Sequence, residues 1–338
     1  MTKITYLELS SITIIELICL NSGININILK STSYNSWIVV ILAYLIGIIP
    51  LSLLLYISNY EKELTLKEKI NKLFGKNIGT FINIIISIIL FIIGITILYN
   101  INSFTTSQFL YRTPIIISTT LLIILIIYNV NKGLNSISRM SQLLIILDII
   151  LFITTFFPLI KDTNLDNFLP LFKKNTNNIL INSIKISIIN ILPLITILCI
   201  PKSKLIKEQL YNKTIIISYI IGFFSLMITV IGTYGILGEY LANIFEFPEY
   251  MLLKKIKLFG FLERIENVVS VKWIITSYIY LTIIIYNIGS TLKNPPSKTF
   301  KLINITLGII SMLSTISSMV LRKREKQIRS LFNGIWRL

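Results

Sequence analysis

Long apolar runs alternate with short polar and basic connectors along nearly the whole chain. A helix that crosses a bilayer needs about 20 such residues. Runs at 7–29, 37–58, 78–101, 114–130, 143–160, 179–200, 214–237, 269–288 and 302–320 predict nine spans, followed by a basic tail at 321–338. The pattern therefore predicts an all-α polytopic membrane protein with one integral domain over 1–320. Pro50, inside the second run, removes one backbone donor and predicts a kink there.

The first run carries a flaw. Glu16 stands near its middle, and Asn21, Ser22 and Gly23 interrupt its last third. Backbone that leaves the helix at that depth must line a cavity or be buried in protein. Glycine loosens the helix, while Asn and Ser offer partners to the freed amides. An interrupted first span points to a small-ligand site near the midplane. A polar seam for helix packing fits the same residues.

Composition sharpens the class. Of 338 residues, 54% are hydrophobic and only 14% charged, well below the roughly 25% charged of soluble domains. The net charge of +17 sits mainly in short connectors, where Lys and Arg set topology rather than bind nucleic acid. With no histidine, imidazole metal sites and triads are excluded. Cys19 and Cys199 both fall in apolar runs and read as small buried groups. The residues outline no cofactor motif, paired catalytic carboxylates, phosphate loop or nucleophile elbow, so an enzyme is not expected. The N-terminus reads as a retained span, since no small-residue cleavage site follows it.

With the N-terminus inside, inner segments hold fifteen basic residues and outer loops nine, which favours that orientation. The basic tail then falls outside, against the same rule. Residues 61–76, with Leu64, Leu66, Ile70, Leu73 and Phe74 among charges, predict an amphipathic helix on the inner surface. The outer loop at 239–266, rich in Phe245, Phe247, Tyr250, Met251 and Leu252, is expected to fold over the mouth of the bundle.

That loop also carries a resemblance. The run from Glu246 to Trp273, with FLERIE at 261–266 as its core, resembles the spore germinant receptor B-subunit family, the GerAB-type permeases. FLPLFKKN at 168–175 and CIPKSK at 199–204 support it in order and spacing. The resemblance implies a LeuT/APC-like inverted-repeat bundle, usually of ten spans, with first and sixth spans broken around a substrate. It also implies A-type and C-type (lipoprotein) partner subunits, a small-molecule germinant and the spore inner membrane. Two departures stand out: a tenth span is absent, and the sixth reads Asn190-Ile191-Leu192-Pro193, without a glycine–acidic pair.

Charges inside spans are costly and mark candidates for function. Glu16, Asp148 and Lys185 qualify, while Lys272 is placed near the interface by snorkelling. In the resembled fold Glu16 and Lys185 would be neighbours, either as a pair or with Lys185 turned outward. A germinant such as an amino acid or sugar would bind between breaks at Asn21, Ser22 and Gly23 and at Asn190 to Pro193, with Tyr278 as an aromatic candidate. Asp148 would line an ion path or face the bundle interior. The functions expected are a germinant-recognising receptor subunit, a secondary transporter, or a ligand-blind assembly subunit.

Overall fold

The computed structural model describes residues 3–110, 112–169, 176–255, 266–292 and 297–335. Of the FLERIE run only Glu266 lies among them, and of FLPLFKKN only Phe168 and Leu169. The helices are α1 (Tyr6–Leu20), α2 (Ile26–Leu29), α3 (Ser36–Asn59), α4 (Leu66–Phe104), α5 (Ile115–Lys132), α6 (Leu134–Phe156), α7 (Thr176–Leu198), α8 (Tyr211–Ile244), α9 (Pro248–Lys255), α10 (Glu266–Leu292) and α11 (Lys298–Ile335). Among the described residues nine helices, counting α1 with α2 as one, are long and apolar enough to cross a membrane. The protein is an all-α, multi-pass membrane protein.

The first span and α10 are the most enclosed, and they form the axis of the bundle. The first span packs against α6, α7, α8 and α10, while α10 also meets α4, α5 and α11. The outward faces of α3, α5, α6 and α11 expose Leu and Ile side chains, as surfaces bathed in hydrocarbon must.

Two ends of the bundle can be told apart by their contacts. At one, the Ile4 amide donates to Lys204 O at 2.8 Å and Ile206 N to Ile4 O at 3.0 Å, while Lys202 Nζ reaches Asn59 Oδ1 at 2.6 Å. At the other, Lys30 Nζ donates to Phe245 O at 2.7 Å. The N-terminus and the loop after α7 thus share a face, as an even number of crossings between them requires. Helix α11 lies antiparallel to α5, joined by Asn304 to Asn131 near one end and by Thr120 to Met312 near the other. It continues as helix to Ile335, so the expected tail is a helical extension on the face away from the N-terminus.

The surface segment expected at 61–76 forms the start of α4. Thr65 and Glu68 cap it reciprocally. Gly75, at φ +79° and ψ 164°, then turns the chain into the third span. Ile70 is buried, Leu73 and Phe74 face outward, and Lys69 Nζ donates to the final carbonyls of α3, those of Ile57 and Ser58.

Candidate functional site at the interrupted first span

The sequence Asn21–Asn25 forms five residues of wider, π-type turn between α1 and α2, with Gly23 at φ +78°. A left-handed conformation of this kind favours glycine strongly. Around it lies a polar cluster. Asn25 Nδ2 donates to Asn21 Oδ1 and to Asn190 Oδ1, both at 3.0 Å, so one amide bridges the first span to α7. Asn21 Nδ2 donates to Gly222 O of α8 at 3.2 Å. The Gly23 amide donates to Glu249 Oε1 of α9 at 3.3 Å. Asn182 Nδ2 donates to Ile28 O at 3.2 Å and Ser31 Oγ at 2.7 Å, holding the outer end.

Deeper in the bundle, Glu16 has no exposed surface, and its two oxygens accept from Thr196 Oγ1 at 2.9 and 3.1 Å. Lys185 is on an exposed part of α7 and does not pair with it. The alternative of an outward-turned lysine is the one observed. Asp148 is also buried, and neither of its oxygens has a hydrogen-bond partner among the described residues. The positive charge that acts on it is that of Lys272. Lys272 does not snorkel to the interface: it is buried, with Nζ 4.5 Å above the Phe152 ring.

The expected second break is corrected. Helix α7 runs from Thr176 to Leu198 straight through Pro193. Proline withholds one amide and crowds one turn, which bends a helix without unwinding it when neighbours hold both sides. Here α3 packs along α7 throughout, and Asn190 is held by Asn25. The site therefore has one interrupted helix facing one continuous helix. Asn21, Gly23 and Asn190 come together in it, as does the Ser22 backbone, while Pro193 contributes its carbonyl to Thr196 Oγ1 at 2.6 Å. Tyr278 is half-buried elsewhere on α10, packed near Ile15, Ile18 and Ile145.

Beside the break, among the described residues, lies a void of about 10 Å³ bordered by Cys19, Ile24, Asn100, Trp273 and Ser277, about the size of one water. Above it sits a plug of rings. Phe104 of α4 meets Phe247, Tyr250 and Trp273 at centroid distances of 5.2, 5.3 and 4.3 Å. The aromatic outer loop thus does fold over the mouth, through α9. The larger apolar groove between α3 and α8, about 460 Å³, opens sideways among Leu, Ile and aromatic residues.

Sequence reasoning missed Asn25, Thr196 and Glu249. Asn25 follows Asn21 by one helical turn, and that spacing alone places both amides on one face. Glu249 was hidden among the other acids of its loop. Burial pushes its carboxyl up to about 7, against the opposing effect of the Gly23 amide and of Lys272.

A comparison with curated proteins found no match. A family model described as spore germination protein, the spore permease type, matches residues 6–327. That stretch takes in every described span, the interrupted helix and the α9 cover, and the chain accordingly belongs to the spore germination protein family of permeases.

Proposed function

We propose that this protein is the permease-like subunit of a spore germinant receptor. It recognises a small nutrient, an amino acid or similar solute, at the interrupted first span and relays the event as a conformational change. The observation that carries this reading is the π-type turn at Asn21–Asn25 inside a membrane helix. Its Gly23 amide is held by Glu249 and its Asn25 side chain by Asn190, contacts that a ligand's polar groups can replace. Family membership supports the germination role and is compatible with A-type and C-type partner subunits in the spore inner membrane. The role is non-enzymatic.

The test is complementation of a deletion strain, followed by the loss of optical density of spores given nutrient. Wild type restores the response, and Gly23→Leu, present in the membrane at normal amount, does not. An unchanged dose-response in that variant would remove the break from the binding site. The permease character of the family favours one other reading, secondary transport of the same solute. Gradient-driven uptake into proteoliposomes would support it, and germination without uptake would leave the receptor.

A further inference from the structure

We propose that α9 is a lid closed by Glu249, whose carboxyl oxygen accepts from the Gly23 amide, and that the void beside the ring cluster opens outward only when this clasp is released. This rests on the reading of the break as the ligand site, but its test needs no germinant.

Three observations carry it. Glu249 is the point where the lid touches the interruption itself, at 3.3 Å from Gly23 N, and it is only 4% exposed. Helix α9 is further held by Phe247 and Tyr250 against Phe104, by Tyr250 Oη donating to Gln108 O at 3.3 Å, by the Trp273 hydrogen bond to Glu249 and by the buried Leu252 and Leu253 beside α8. Finally, the void is far too small for a nutrient, so entry there requires movement, and Trp273 of the ring cluster borders it.

The clasp also gives the lid a direction of response to pH. The groups facing Glu249 are the Gly23 amide and Lys30 from the first span, Lys272 and Trp273 from α10, and Tyr234 from α8. Burial holds the Glu249 carboxyl near 7, while a lid lifted into water returns it toward the ordinary 4.5. The closed lid therefore binds its proton more tightly than the open one. Acid keeps the lid shut, and ionisation favours opening. With those two values, the open-to-closed ratio rises about tenfold between pH 6 and pH 8.

Thiol labelling in intact membranes tests this, with a small maleimide added from the outer side. Cys19 borders the void, and Cys199, near the inner end of α7, reports general loosening. Glu249→Gln keeps the acceptor oxygen and removes the titration. The expected result is a wild-type to Glu249→Gln ratio of Cys19 labelling that climbs about tenfold from pH 6 to pH 8, with the Cys199 ratio flat. A flat Cys19 ratio overturns the lid, and so does a parallel rise at Cys199. Should Glu249→Gln fail to accumulate, wild type alone decides, through the rise in its Cys19 rate relative to Cys199. Abolished germination with the labelling result intact would count against the receptor reading alone.

Discussion

The Glu16 carboxylate and the Thr196 hydroxyl, on α1 and α7, meet at 2.9 and 3.1 Å where neither side chain has exposed surface. The same hydroxyl lies 2.6 Å from Pro193 O. A hydroxyl carries one hydrogen, so Thr196 Oγ1 shares it between the Glu16 carboxyl group and Pro193 O. Thr196→Val then leaves a buried carboxyl alone and costs about 1–3 kcal/mol. Glu16→Gln keeps an acceptor oxygen for Thr196 and costs markedly less. Thermal unfolding of the detergent-purified variants checks the order, and equal losses would show that the contact is inert. The double swap Glu16→Lys with Lys185→Glu gives no rescue, because Lys185 stands on an exposed face.

Gly23 is constrained twice over. Its φ of +78° disfavours any side chain, and a Cβ there would stand 2.6 Å from Asn100 Nδ2. The backbone term alone costs roughly 1–2 kcal/mol. Asn100 is a flexible side chain, so Gly23→Ala is expected to accumulate in the membrane with a weakened germination response, while Gly23→Leu loses the response. Asn100→Ala clears the space without changing the backbone, so it rescues Gly23→Ala only in part. Complete rescue would make crowding, not conformation, the reason for the glycine.

Asn25 holds Asn21 and Asn190 through one amide. Asn25→Ala deprives two buried carbonyl oxygens of their donor, a loss of about 1–3 kcal/mol for each group left unpaired. Asn25→Asp is the stricter variant, because it keeps the shape and replaces the bridging donor with an acceptor facing two acceptors. It should be the less stable of the two by thermal unfolding, and the reverse order would argue that volume rather than hydrogen bonding matters at this position.

Much of this was legible beforehand because lipid writes a strong signal. Every buried backbone group in a membrane needs an internal partner, so apolar length alone located the spans. The break at Asn21 to Gly23 was legible for the same reason, since polar residues and a glycine in a lipid-depth run have few other uses. Pro193 misled. Proline's local cost is readable from sequence, but whether it unwinds a helix depends on how firmly α3 and Asn25 hold α7. Glu249 and Thr196 were invisible for a related reason. One is 226 residues from its partner and the other 180, and their chemistry exists only where the bundle brings them to Gly23 and Glu16.

The turn from the surface segment into the third span rests on two glycines with different reasons. Gly75 adopts φ +79° and ψ 164°, a region almost restricted to glycine, yet a Cβ on it would meet nothing within 4 Å. Gly75→Ala therefore costs about 1–3 kcal/mol of backbone strain, and the surface piece relieves it by swinging away. Gly79 has ordinary helical geometry, but its Cβ would lie 2.7 Å from the Asn71 Cα and 2.5 Å from Asn71 Oδ1. Gly79→Ala must push that backbone outward, breaking the Asn83 Nδ2 contacts to Lys67 O at 3.3 Å and Asn71 Oδ1 at 3.1 Å. Both variants should speed amide hydrogen exchange over residues 66–74. Asn71→Ala, which removes the side chain and leaves the backbone in place, should not restore slow exchange to Gly79→Ala. If it does, the close approach is made by the amide oxygen alone, and the packing of the surface helix against the span is looser than these distances require.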